Sequence, residues 1–167
     1  MRPKSVDRIK PGPGQESVWD YPRPPRLEPL NNSARVVFGG SVIADSAHAL
    51  RCLETSHPPT IYIPRSDINT DYLQPSPGRS ICEFKGPARY WSVVVGGRVA
   101  ERAAWEYPEP WPGFEALKDH LCFYASLMDE CQIDGETVRS QESDFYGGWI
   151  TKDIVGPFKG PSGTLGW

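Results

Sequence analysis

The chain has 167 residues, enough for one domain with a real core and short for two. Its 18 prolines and 16 glycines punctuate it too often for long helices, and its six tryptophans require that large rings fill the core or line a pocket. A net charge of −3 excludes a protein built mainly to neutralise phosphates, so no nucleic-acid partner is expected.

The basic start, with Arg2, Lys4, Arg8 and Lys10, is not followed by an apolar run. No secretory leader is therefore expected, and no stretch reaches the roughly 18 apolar residues of a membrane-crossing helix. Residues 1–30 hold seven prolines and read as a Pro-rich arm, extended and laid along the domain from Trp19 onward. A ligand for an aromatic groove is the other reading of such a segment.

The domain opens on a sequence that recurs. Residues 36–44 read V-V-F-G-G-S-V-I-A and residues 93–101 read V-V-V-G-G-R-V-A-E. In each, a β-branched run meets Gly-Gly and an alternating run follows. A type I′ turn needs φ > 0 at both central residues, which glycine adopts without steric cost. Gly39-Gly40 and Gly96-Gly97 thus predict two antiparallel β-hairpins and a mainly β fold.

Between them, residues 49–54 fit either a strand or a helical turn, and T-I-Y-I at 60–63 reads as a strand closed by Pro64. Residues 65–80 read as loop, on Pro75, Pro77 and Gly78, with a short helical turn at Asp67–Asp71. Ser80 to Phe84 begins a strand, Lys85-Gly86-Pro87 interrupts it, and Tyr90 to Val95 leads into the second hairpin. Y-P-E-P-W-P-G at 107–113 breaks regular structure. Phe114 to His120 fits one or two helical turns, Leu121 to Tyr124 a strand, and Asp134-Gly135 a tight turn.

From Ser140 the chain turns Gly- and aromatic-rich, with F-Y-G-G-W at 145–149 and G-P-F-K-G-P at 156–161. Trp149 and Phe158 predict a tail that packs either on its own domain or on a second subunit, the latter giving a homo-oligomer. The organisation expected is an arm at 1–30, a β domain at 31–139 and an extension at 140–167.

The words Y-P-R-P-P-R (21–26), A-D-S (44–46), A-L-R-C-L-E-T-S-H-P-P (49–59), Y-I-P-R-S-D (62–67), C-E-F-K-G (82–86), Y-W-S-V (90–93) and A-A-W-E-Y-P (103–108) carry a resemblance. In this order and spacing they resemble the family named domain of unknown function 427, from Tyr21 to about Glu136. The resemblance implies a β-tent: two small antiparallel sheets meeting along one edge at a steep angle, as in the thalidomide-binding domain of cereblon and in zinc-containing sulfoxide reductases. The family also carries a nucleotidyltransferase label. That chemistry needs a Gly-Ser turn followed by spaced aspartates for Mg²⁺. Gly40-Ser41 is present, but Asp45 follows four residues on and no D-x-D pair does.

β-Tent relatives commonly hold zinc on two C-x-x-C knuckles, because tetrahedral thiolates at that spacing close a structural site. Cys52, Cys82, Cys122 and Cys131 form no such knuckle, and Lys85 stands where the second thiolate of Cys82 would be. No zinc and no other cofactor is expected. The cysteines lie in apolar surroundings such as A-L-R-C-L and L-C-F-Y, which predicts buried thiols in the cytoplasm and no disulfide framework.

Two side-chain groups are candidates for chemistry. Pro58-Pro59 fixes the chain after His57, and Gly86-Pro87 fixes it after Lys85, so Glu54, His57, Cys82 and Lys85 sit on rigid loops. A lysine beside a thiol can activate it, and a glutamate and histidine can move protons. The structural alternative is a core thiol at Cys82, a Lys85 ion pair with Glu54 or Glu83, and a turn-capping His57. Tyr62, Trp91, Trp105 and Tyr107 are the second group, rings that either fill the core or wall a ligand site. His48 and His120 have no partner pattern, and no P-loop, dinucleotide fingerprint or nucleophile elbow occurs.

The first functional reading is a cytoplasmic binding module. Its cleft between the two sheets would take a small molecule or peptide end, with Tyr62, Trp91, Trp105 and Tyr107 as walls and Lys85, Glu54 and His57 as polar anchors. The alternatives are an enzyme using Cys82 and Lys85 with Glu54 or His57, and an assembly protein using its arm and tail.

Overall fold

The computed structural model describes residues 6–143 and 145–167. Helix among them is confined to five single 3-10 turns, at Val18–Asp20, Arg65–Asp67, Thr70–Tyr72, Glu115–Leu117 and Ala125–Leu127. Proline and glycine recur too often for a longer helix to propagate. None of these is long and apolar enough to cross a membrane. The fold is mainly β.

The proline-rich start supplies β1 (Glu16–Ser17) and β2 (Arg26–Pro29). β3 (Ala34–Phe38) and β4 (Ser41–Ser46) form the first Gly-Gly hairpin, with φ of +61° at Gly39 and +78° at Gly40, the pair a type I′ turn requires. β5 (Leu50–Leu53) and β6 (Thr60–Pro64) follow, so residues 49–54 resolve to strand. β7 (Leu73–Cys82), β8 (Gly86–Val95) and β9 (Arg98–Glu106) form a meander. Its second turn carries the other Gly-Gly pair. There only Gly96 is left-handed, at +57°, while Gly97 is not, which is the pattern of a type II′ turn. β10 (His120–Phe123), β11 (Glu130–Ile133) and β12 (Glu136–Thr137) come next, the last two joined by Asp134-Gly135 at φ +48° and +79°. The tail adds β13 (Arg139–Ser140), β14 (Trp149–Ile150) and β15 (Ile154–Val155).

Seven strands make the larger sheet, in the order β2-β5-β6-β10-β9-β8-β7, all antiparallel, and four make the second, in the order β12-β11-β3-β4. The larger sheet exceeds the small sheet expected because of its two edges. β2 comes from the proline-rich start. β7 occupies residues expected to be loop. Pro75 pairs with Trp91 on that edge, where a missing N–H can face outward, and a bulge between Ser76 and Arg79 absorbs Pro77 and Gly78.

The four-stranded sheet packs on one face of the larger one. Alternation along β6 and β10 sorts the residues: Ile61, Ile63, Leu121 and Phe123 join Val36, Phe38 and Ile43 in the core between the sheets. Tyr62 and Cys122 point the other way, into a second cluster with Tyr90, Trp105, Tyr107 and Tyr124, covered by Phe114 and Leu117. The termini close over the same molecule. β1 pairs in parallel with β15, Ile9 N–H donates to the carbonyl of Gly156 at 3.0 Å, and Trp19 packs edge-on to Trp167 at 5.3 Å. Trp149 of the tail is 1 % exposed, inside the core of its own domain.

Candidate functional site

A cavity of about 460 Å³ opens on the outer face of the seven-stranded sheet. Glu54, His57, Tyr62, Cys82, Lys85, Trp105 and Tyr107 all line it. Seven of the eight candidate side chains thus converge, but the cavity is not the expected cleft between the sheets. The seam between the sheets holds a different cavity of about 540 Å³, lined by Glu16, Glu28, Arg51 and Asp134 among others and by none of the eight.

Trp91 is the residue that does not converge. It pairs with Ala104 while Tyr90 pairs with Trp105, so its ring lies on the inner face. There the guanidiniums of Arg65 and Arg89 each lie 5.6 Å from the ring, and both pair with the buried carboxylate of Glu106. Its indole N–H is buried without a partner among the described residues.

Lys85 closes the turn between β7 and β8, where Cys82 pairs with Gly86. Gly86 has φ of +108° and lies against the Trp111 indole, and the Trp111 backbone N–H donates to the Lys85 carbonyl at 3.0 Å. These contacts aim the lysine into the cavity, where it is 8 % exposed. Among the described residues its ammonium makes no ion pair or hydrogen bond; the nearest aromatic face is Tyr107, at 6.0 Å. Burial pushes the amine down, but Cys52, Tyr107, Cys82 and Glu54 pull it up and the net shift is upward. Cys52 and Tyr107 are themselves pushed up by burial and so uncharged at neutral pH, which leaves the Glu54 carboxylate as the fixed negative charge nearby. That carboxylate favours the ammonium form of Lys85.

Glu54 and His57 flank one tight turn, in which His57 N–H donates to the Glu54 carbonyl at 3.0 Å and Ser56 takes φ of +73°. His57 Nε2 lies 3.3 Å from Glu54 Oε2, and Nδ1 lies 3.3 Å from Gln141 Nε2. Gln141 Oε1 accepts from Gly148 N–H at 3.0 Å, and Nε2 also donates to the Lys159 carbonyl at 2.7 Å. The amide orientation is therefore fixed, so Nδ1 of His57 accepts and the ring proton is on Nε2, donating to Glu54. Both ring nitrogens are engaged. Burial pushes the Glu54 carboxyl up, but the His57 hydrogen bond and the charges of Lys85 and Arg23 hold it below its ordinary value. Arg23 reaches Glu54 Oε2 at 3.4 Å and the Thr55 carbonyl at 2.8 Å.

The aromatic wall is built from packed rings. Tyr62 lies 6.3 Å from both Trp105 and Tyr107, and Trp105 lies 4.6 Å from Tyr124. The Tyr62 hydroxyl is fully buried without a hydrogen-bond partner among the described residues, and burial pushes it well up, so it stays a neutral donor. The tail forms the remaining wall through Gln141, Tyr146, Gly147, Lys159 and Trp167. None of these was a candidate from sequence. The available signal was Gly147-Gly148: a β-carbon at either would fall 2.5 Å from a neighbouring side chain, Trp105 or Pro58.

Among the described residues, no three of His, Cys, Asp and Glu group as metal ligands would. Cys82 lines the cavity half-buried, while Cys52, Cys122 and Cys131 are buried and free.

No curated protein matches the sequence. A family model described as a domain of unknown function (DUF427), under the label NTP_transf_9, matches residues 26–134. That span holds all seven converging candidates, whereas Arg23, Gln141, Tyr146 and Lys159 lie outside it. Matched over more than half its length, the chain belongs to the DUF427 family.

Proposed function

We propose that this chain is a binding module that takes a small molecule into the cavity on the outer face of its larger sheet. One observation carries the reading: the Lys85 ammonium, buried and without an ion pair or hydrogen bond among the described residues, borders one aromatic-walled space of about 460 Å³. Sites for small ligands are concave, mostly apolar and supplied with a few convergent polar groups. The free thiols suit a reducing compartment, and we place the module in the cytoplasm.

Group transfer through Cys82 has one observation in its favour, since Cys82 shares the cavity with Lys85. It lacks a free base, because His57 is engaged at both nitrogens and Glu54 is held by Arg23 and His57. Thiol labelling against pH separates the two. An activated nucleophile requires Cys82 to label faster than an ordinary thiol of pKa about 8.5.

The binding reading is tested by thermal shift and amide chemical-shift mapping against a metabolite library. Ligands should raise the melting midpoint of the wild type and move amides near Tyr62, Lys85 and Tyr107. Trp105→Ala should lose the response. Identical, ligand-independent behaviour of both proteins across the library would remove the reading.

A further inference from the structure

The cavity's charges are unevenly spent. Arg23 is used by Glu54 and by the Thr55 carbonyl. Glu54 is used by Arg23 and by His57. Lys159 Nζ donates to the Trp167 carbonyl at 3.3 Å and lies over the Tyr146 ring. Glu83 stands on the exposed rim. Among the described residues, what remains is one cation, Lys85, with Tyr107 and its hydroxyl beside it, while the Tyr62 hydroxyl is sealed behind the wall. A buried charge is costly unless an opposite charge reaches it, and a buried hydroxyl is costly unless it is bonded. The site therefore presents two donors, one of them charged, next to ring faces and edges.

We infer that the ligand is a small planar molecule bearing one carboxylate, whose two oxygens accept from the Lys85 ammonium and the Tyr107 hydroxyl while its flat body lies against Tyr107 and Trp105. This rests on the binding reading above and adds the ligand's charge and shape. Two donors match the two oxygens of a carboxylate. A phosphate dianion would need more: an uncommitted guanidinium fork or a cluster of backbone N–H groups, and Arg23 is already spent. A cationic ligand meets the wrong sign at Lys85, since the one acid facing it there, Glu54, is already paired. The aromatic wall offers a planar body apolar ring surface to lie against.

The experiment titrates the full chain, by calorimetry and amide spectra at pH 7, with matched probes: indole-3-acetate against indole-3-acetamide, benzoate against benzamide, benzylamine, and inorganic phosphate. The acids should bind at least about ten-fold tighter than their amides. Lys85→Met should abolish that preference and leave amide binding unchanged, and Tyr107→Phe should weaken the acids several-fold. Unchanged amide spectra away from the cavity show that each variant is folded. If amides or benzylamine bind the wild type as well as acids do, or if Lys85→Met keeps the preference, the carboxylate inference is overturned and the binding module stands. If phosphate alone binds through Lys85 as tightly as the acids, the planar part is overturned. If no probe binds, the module reading falls with it.

Discussion

The backbone of Gly147 rests on the ring of Trp105, so closely that a β-carbon at position 147 would lie 2.5 Å from Cη2 and 2.8 Å from Cζ3. This approach lets the tail wall the cavity. Gly147→Ala should lift the tail or tilt the indole, costing about 1–3 kcal/mol, the range for overpacking. Gly166→Ala, with no heavy atom within 4 Å of its β-carbon, should be neutral and serves as the control. Urea unfolding followed by tryptophan fluorescence measures both. Equal midpoints for the two variants would mean that the tail does not dock on Trp105.

Glu54 makes stability depend on pH in a defined direction. Its carboxyl is held below its ordinary value of 4.5 in the folded chain, so across that window the unfolded chain binds more protons. The contribution of Glu54 is complete above the ordinary value and is lost as pH falls through the lowered folded value. The stability difference between wild type and Glu54→Gln should accordingly be constant from pH 7 to about pH 5 and shrink as acid is added. Denaturant unfolding at stepped pH checks this. Parallel curves down to the acid limit would assign the acid sensitivity to other carboxylates.

The hairpins were readable from sequence because Gly39, Gly40 and Gly96 take φ values that other residues reach only with strain. The polar cluster was readable for a related reason: Pro58 and Gly86-Pro87 pin the loops that carry His57 and Lys85. β7 was not readable, since Pro75 and Pro77 suit an edge strand only when the edge is known. The face occupied by Trp91 depended on strand register. Trp105 pairs with Tyr90, and the shift between Trp91 and Val93 changes the register by two residues, so the two-residue turn at Gly96-Gly97 alone places Trp91 on the face opposite Trp105. The tail's part in the cavity was hidden because Gln141 and Gly147 meet His57 and Trp105 across long stretches of chain that no periodicity connects.

Gln141 sets the ring proton of His57. The amide accepts from Gly148 N–H and donates to His57 Nδ1 and to the Lys159 carbonyl. Long-range ¹H–¹⁵N spectra should therefore show the Nε2–H tautomer as the sole neutral form in the wild type. Gln141→Leu should release this constraint and mix the two tautomers. It also strands the buried Gly148 N–H, so it should cost about 1–3 kcal/mol in denaturant unfolding. A wild type already mixed between tautomers would refute the fixed network.

The two Gly-Gly hairpins touch each other, and this sorts their glycines. A β-carbon at Gly39 would lie 2.8 Å from Val95 Cβ and 2.9 Å from its Cγ1, in the strand that enters the other turn. Gly40 and Gly96 have no heavy atom within 4 Å of the same position. All three have left-handed φ, of +61°, +78° and +57°. Gly40→Ala and Gly96→Ala therefore meet only the backbone penalty, about 1–2 kcal/mol. Gly39→Ala meets the same penalty and must also displace Val95, adding roughly 1–3 kcal/mol. Adding Val95→Ala to Gly39→Ala should recover part of that second cost, because the clash is with the valine side chain; adding it to Gly40→Ala should recover none. Equal losses for the three single variants would show that the hairpins do not abut at this point.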